Sequence, residues 1–186
     1  MKLALLALLV LTACRLTPRP PPALHDFGPL SGTAASRQGN VTVKAPSWLQ
    51  DTRLRYRMLF NDPTRIRFYA DHRWVAPPPA LLQQQFSTLL DTPYKLYIQL
   101  RDLEQVFDTP TSSRIVLRFL AQAATADGQI LGTEVFAFET PTVSADVQGA
   151  LLGYAAQVAQ AANKVQAWLN TLSPAMSEVE GSASIR

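Results

Sequence analysis

An alternation of arginine with apolar residues between positions 53 and 60 constrains the fold more than any other feature of the sequence. In a β-strand, successive side chains point to opposite faces, so residues two apart share a face. The apolar set is Leu54, Tyr56, Met58 and Phe60, and the basic set is Arg53, Arg55 and Arg57. The pattern predicts a half-buried strand with one face toward a core and the other toward solvent.

The segment that follows this strand predicts an antiparallel hairpin. Residues 61–64 have turn chemistry, and residues 65–69 resume the alternation. We expect Arg65 and Arg67 to join the arginines of the first strand on one basic face, with Arg73 beyond it. Such a face suits an acidic partner or phospholipid headgroups, although a solvated sheet face is the commoner explanation of this pattern.

The remaining patterns predict further strands and two principal helices. Strands are expected at 25–30, 41–44, 94–108 with a bulge near Asp102, 114–123 and 130–138, the last two joined by a turn at Asp127-Gly128. Prolines at 77–79 open the first helix. An apolar stripe from Val147 to Leu172, capped by Ser144 and ended by Ser173-Pro174, marks the second. A mainly antiparallel sheet with two helices packed against it is an α+β domain.

The first 24 residues do not resemble part of this domain. A lysine at position 2, an apolar run at 3–11 and two small residues precede Cys14, and this arrangement resembles a bacterial lipoprotein signal. The run is too short to span a bilayer, which takes about 20 apolar residues. We therefore expect a signal peptide at 1–13, a lipidated Cys14 with a proline-rich tether at 14–24, the α+β domain at 25–173 and a disordered tail at 174–186.

The composition argues against several classes of function. Apolar residues make up 47% and charged residues 17% of the 186-residue chain, whose formal net charge is +3. We therefore expect neither a disordered chain nor a nucleic-acid binder. One cysteine and two distant histidines supply no metal site. Asp71 and His72 lack a readable third group for acid–base chemistry, so we expect no enzyme and no cofactor besides acyl groups on Cys14.

Several short segments resemble one known family. They are His25-Asp26-Phe27-Gly28-Pro29, Ala45-Pro46-Ser47-Trp48-Leu49, Leu54-Arg55-Tyr56-Arg57, Tyr69-Ala70-Asp71-His72-Arg73-Trp74, and Leu103-Glu104-Gln105-Val106-Phe107-Asp108 before Ser113. In this order they resemble the auxiliary lipoprotein component of ABC-type transport systems, the paraquat-inducible protein C type. The chain departs from that pattern at His25, where the family often has tyrosine, and at Val75, where a small residue is common.

The resemblance implies a non-catalytic periplasmic subunit of a lipid-transport machine. Its implied partners are a periplasmic MCE (mammalian cell entry) protein, an ABC permease and an ATPase. The lipoprotein signal implies a diacylglycerol and an N-acyl chain on Cys14, which would hold the chain stably on a membrane. Arg15 rather than aspartate after that cysteine implies sorting to the outer membrane, with the domain facing the periplasm.

Partner contacts and function leave alternatives open. Trp48 and Trp74 are candidate anchors for a partner, because tryptophan and arginine dominate interface hot spots, but core packing explains them equally well. Exposed sheet edges offer a route to a homo-oligomer or to strand addition by a partner. A lipid-binding carrier with an apolar cavity closed by the two helices, and an envelope-structural lipoprotein without an ABC partner, are the alternative functions.

Overall fold

The computed structural model describes residues 20–29 and 40–172. The predicted signal peptide, the lipidated Cys14, the first part of the tether, the loop expected after residue 30, the helix stop at Ser173-Pro174 and the expected tail all lie outside the described residues. None of the helices in these two ranges is long and apolar enough to cross a membrane.

The described chain forms one mixed sheet of seven strands with two α-helices. The strands are β1 (Ala23–His25), β2 (Asn40–Lys44), β3 (Arg53–Met58), β4 (Asp62–Trp74), β5 (Lys95–Thr109), β6 (Ser112–Ala124) and β7 (Ile130–Pro141). The helices are α1 (Pro78–Leu89) and α2 (Val147–Leu172), and a short 3₁₀ turn spans Ser47–Leu49. The predicted α+β class with two principal helices is therefore confirmed.

Strand β5 organises the sheet because it is paired along both of its edges. The order is β1-β4-β3-β5-β6-β7, and β2 also pairs with β5. The hairpins β3–β4, β5–β6 and β6–β7 are antiparallel, whereas β1–β4, β2–β5 and β3–β5 are parallel. The register of β5 on β6 shifts between Leu100 and Asp102, which confirms the predicted bulge. This shift separates the half of β5 that pairs with β2 from the half that pairs with β3.

Both helices pack on the same face of the sheet, and the core lies between them and it. Phe86 of α1 stacks near Phe119 of β6 at 5.9 Å between ring centroids. On α2, the amide of Gln157 donates to the carbonyl of Ile115 at 3.0 Å. Ile115 and Phe119 have the same parity on β6, so they share a face. Within the described ranges neither helix covers the opposite face, which we call the open sheet face.

Three local expectations are wrong. The turn of the first hairpin is closed by the bond from the Asn61 N–H to the Met58 carbonyl at 3.2 Å, so β4 already begins at Asp62. Phe60 consequently lies in the turn, 43% exposed, rather than in the core. Strand β1 begins at Ala23, inside the expected tether, because it pairs with the far end of β4.

Candidate functional site

The arginines of the first hairpin do not share one basic face. Arg55 is paired with Phe68, and Tyr56 is paired with Arg67. Directly paired residues point to the same side of a sheet, so Arg65 and Arg67 lie on the face opposite Arg55. The expectation of a single basic face is wrong because the β3–β4 register shifts between Arg57 and Met58. An odd shift in register exchanges the two faces of one strand relative to the other.

On the open sheet face, a buried carboxylate holds two of these arginines. The Nε of Arg57 donates to Oε1 of Glu104 at 3.1 Å, and Nη2 of Arg55 lies 3.5 Å from Oε2. The side chains of Glu104, Arg55 and Arg57 are only 9%, 11% and 23% exposed. Arg57 also donates to the carbonyl of Pro63 at 2.7 Å. Two of the predicted partner-binding arginines are therefore occupied inside the protein.

The next residue, Gln105, organises the helix side of the same strand. Its Oε1 accepts from the Tyr69 hydroxyl at 2.6 Å, and its Nε2 donates to the Ser113 hydroxyl at 2.8 Å and to the Asp146 carbonyl at 3.2 Å. Gln105 is fully buried. Its hydrogen bonds connect β4, β6 and the start of α2, so one amide fixes three elements. Sequence periodicity gave no sign of this role, because glutamine is usually found at the protein surface.

Asp146, not Ser144, caps α2. Its Oδ1 accepts from the Gly149 N–H at 2.8 Å, and the Ser144 hydroxyl donates to the same oxygen at 2.8 Å. The Gly149 N–H, followed by the Ser144 hydroxyl, holds the pKa of Asp146 below its ordinary value. The predicted cap is wrong by two residues because the helix begins at Val147, which places Asp146 directly before it.

Burial also perturbs two tyrosines beside this network. Desolvation raises the pKa of Tyr69, with smaller contributions from Tyr56 and Asp146. The pKa of Tyr154, which is buried in the core, is raised in the same way. Both phenols are therefore neutral hydrogen-bonding groups rather than bases at ordinary pH.

The two histidines meet at the edge of the sheet. Nε2 of His25 lies 2.9 Å from Nδ1 of His72, and the rings stack with centroids 5.1 Å apart. Desolvation, and then the neighbouring His72, lower the pKa of His25. The described residues contain no group of three or more histidine, cysteine or carboxylate side chains placed to hold a metal ion.

The two predicted tryptophan anchors have different environments. Trp74 is 3% exposed and packs between Phe27 and Tyr154, with ring centroids at 5.0 and 5.2 Å. The hypothesis that Trp74 anchors a partner is therefore wrong, because the core occupies it. Trp48 is 64% exposed on the 3₁₀ turn, where its indole is available to a partner.

The remaining arginines divide into occupied and available groups. Arg53 is paired with Asp51, and its guanidinium lies 3.8 Å from the centroid of the Phe68 ring. Arg73 donates to the carbonyl of Tyr69 at 3.0 Å. Arg65 is exposed, and the Nε of the half-buried Arg67 has no hydrogen-bond partner. Neither of these two arginines forms an ion pair with a described carboxylate.

Four of the five segments that carry the family resemblance contact one another. Leu54-Arg55-Tyr56-Arg57 contributes the two arginines on Glu104, and the segment with Tyr69 and Trp74 contributes the Gln105 bond and a core indole. The first segment adds Phe27 against Trp74. Residues spread over most of the domain thus form one continuous contact network around β3, β4 and β5.

Surface cavities are shallow and mostly apolar. One of about 490 Å³ is lined by Leu24, Val75, Leu151 and Leu152, and one of about 220 Å³ lies between the helices against Leu89. A groove of about 350 Å³ on the open sheet face runs past Tyr97 and Leu120.

These features define a two-layer α+β domain, and comparisons with known proteins find the same fold. No family model and no curated protein matches the chain. The crystal structure of protein XCC0632 from Xanthomonas campestris, described with family model DUF330, has a TM-score of 0.65 at 16% identity, covering 86% of this chain and 98% of its own. An uncharacterized protein has a TM-score of 0.65 at 12% identity, covering 81% and 99%. At these identities the likeness shows the fold alone.

Proposed function

We propose that the chain is a lipoprotein, anchored through acylated Cys14 in the outer membrane, that serves as a non-catalytic auxiliary subunit of an ABC and MCE-type lipid-transport system. The observation that carries the proposal is that two of the resembling segments, 54–57 and 69–74, meet a third at Glu104 and Gln105.

The open sheet face and Trp48 supply the surface for the MCE partner. Tyr97 and Val135 are 46% and 57% exposed there, and Trp48 is 64% exposed. Aromatic side chains dominate interface hot spots because they bury a large area at a small cost in conformational entropy. The helix side of the sheet is already filled by the protein core, so the open face is the larger surface left for a partner.

Crosslinking in the native envelope tests this function. The acylated protein is crosslinked and purified, and the attached proteins are identified by mass spectrometry. The proposal expects an MCE protein with its permease and ATPase. The double substitution W48S and Y97S should abolish their recovery, whereas L152S, which alters another exposed apolar residue on α2, should not. Recovery of abundant bait without any of the three partners would favour an envelope-structural lipoprotein.

A lipid carrier is the second candidate. The cavity between the two helices holds only about 220 Å³, but a larger, mostly apolar cavity beside Leu24 and Val75, lined by α2 and not by α1, favours it. Its volume of about 490 Å³ lies within the range of about 300–1,000 Å³ that small ligands occupy. Native mass spectrometry of the purified domain decides the matter. A bound phospholipid that is lost in V75E would support the carrier, and a ligand-free spectrum from protein purified without detergent would refute it.

A further inference from the structure

The turn between β3 and β4 presents two adjacent apolar side chains to solvent. Leu59 is 37% exposed and Phe60 is 43% exposed. The turn itself is firmly held, because the Leu59 N–H donates to the Phe107 carbonyl at 2.9 Å and the Asn61 N–H closes on Met58. A fixed turn that displays neighbouring leucine and phenylalanine has an unburied apolar tip.

The strands behind this tip carry an excess of positive charge. Five arginines lie between Arg53 and Arg67, and Asp51, Asp62 and Glu104 are the carboxylates set among them. Five positive charges against three negative leave an excess of two. Asp62 is itself bonded to Thr64, with the hydroxyl at 2.8 Å. Arg65 lies near enough to Asp62 to interact with it electrostatically, but neither Arg65 nor Arg67 forms an ion pair with a described carboxylate. The excess charge behind the tip is therefore that of the exposed Arg65 and the half-buried Arg67.

The described chain enters β1 from the same end of the sheet. Strand β1 runs parallel to β4 with Ala23 opposite His72, so the chain before Ala23 approaches from the side of the β3–β4 turn. Cys14 precedes Ala23 by nine residues, a reach of about 30 Å when extended. From Asp62 to His72, β4 spans ten residues, about 33 Å. The two lengths are similar, so an acyl group on Cys14 and the apolar tip can reach the surface of the same membrane.

We propose that Leu59 and Phe60 insert into the interface of an anionic phospholipid surface while Arg65 and Arg67 bind its phosphate groups. This inference rests on the lipid anchor of the proposed function. At a bilayer interface, apolar side chains are buried about 5–10 Å into the boundary between headgroups and acyl chains. The apolar tip suits that depth, and the guanidinium groups behind it in the strand suit the phosphate layer above. A membrane is favoured over an acidic protein because the proposed anchor holds one close by.

Site-specific fluorescence on the acylated protein tests the proposal. Cys14 is the only cysteine and is blocked when acylated, so F60C is labelled alone with an environment-sensitive dye. The protein is placed in vesicles of equal parts phosphatidylglycerol and phosphatidylcholine, with brominated lipid as quencher. I130C is the matched control, because Ile130 is an apolar residue 59% exposed next to a hairpin turn at the opposite end of β6.

The expected result is a blue-shifted, quenched dye at position 60 and an unshifted, unquenched dye at position 130. The pair R65Q and R67Q should weaken insertion about thirtyfold, since each basic residue contributes roughly 1 kcal/mol at an anionic surface. If the protein is acylated but the dye at position 60 behaves like the dye at position 130, the insertion of the tip is refuted while the lipid anchor stands. A blue shift at position 60 that appears only when envelope proteins are added refutes it in the same way. Intact mass showing no acyl group on Cys14 refutes the anchor, and with it the premise.

Discussion

Glu104 and Gln105 are consecutive, both are buried, and they point to opposite faces of the sheet. Glu104 holds the guanidinium groups of the first hairpin, and Gln105 holds a tyrosine, a serine and the start of α2. Two neighbouring polar side chains thus fasten both layers to one strand. A buried polar group lowers the stability of the protein unless its hydrogen bonds are made, so substitution of either residue should have a measurable effect on the free energy of unfolding.

Removing the charge of Glu104 should destabilise the domain by about 3 kcal/mol. In E104Q, the nearly buried guanidinium groups of Arg55 and Arg57 lose their counter-charge, and a buried ion pair broken on one side costs about 3–5 kcal/mol. Urea unfolding measures the free energy. E134Q, at an exposed position on β7 without an ion pair among the described residues, is the control and should change it by less than about 0.5 kcal/mol. Equal stability of E104Q and the parent would show that Glu104 is not holding the hairpin.

The substitution Q105L should cost about 2 kcal/mol, because it leaves the Tyr69 hydroxyl without its acceptor. It also removes one donor each from the Ser113 hydroxyl and the Asp146 carbonyl, which keep Thr142 and the Ala150 N–H as partners. A double-mutant cycle with Y69F sharpens the test. Once Gln105 is gone, removing the orphaned hydroxyl should cost less than it does in the parent. Additive effects in thermal or urea unfolding would contradict a direct bond between the two side chains. Q99L, at an exposed position on the same strand, should be nearly neutral.

Most of the fold followed from local patterns in the sequence. The apolar stripe of α2 is buried at Tyr154, Val158 and Val165 as its spacing predicts. Proline before α1 and the Asp127-Gly128 turn also lie where their backbone preferences place them. The parallel contacts of β1, β2 and β3 were not foreseen, because pairing between distant strands leaves no trace in the periodicity of either strand.

The candidate site was predicted less well, for a physical reason. The parity argument for one basic face assumed an uninterrupted hairpin, and the register shift next to Met58 exchanged the faces of β4. Glu104 and Gln105 belong to one of the segments that carry the family resemblance, but their burial depends on which strands flank β5. The sequence pattern places Arg67 on the same face as Arg55 and Arg57, whereas the structure places it on the opposite face of the sheet.

Acidification should loosen β1. The pKa of His25 lies below its ordinary value of 6.5 because the folded protein desolvates the ring beside His72. The unfolded chain therefore binds the proton more readily, so the free energy of unfolding falls as the pH drops through about 6.5 and below.

Hydrogen exchange at the Val75 amide measures this effect, because that amide donates to the His25 carbonyl at 2.8 Å. Its protection factor should fall from about pH 7 to about pH 5 in the parent and stay level in H25Q. The Thr142 amide, bonded to Ser113 at 2.9 Å, is the internal reference and should keep its protection. A fall of the same size at Val75 in H25Q would assign the effect to some other group.

Alkali should destabilise the protein through its buried tyrosines. Burial raises the pKa of Tyr69 and of Tyr154 above the ordinary value of 10.0. The unfolded chain then releases its phenolic protons above about pH 10 while the folded protein retains them. The unfolded state binds fewer protons there, so stability is complete below that pH and falls as the pH rises, by up to about 1.4 kcal/mol per pH unit for each group. Urea midpoints measured across this range should fall less steeply in Y154F than in the parent. Identical slopes in Y154F and the parent would mean that Tyr154 ionises in the folded protein as readily as in the unfolded chain, which its complete burial in the core argues against.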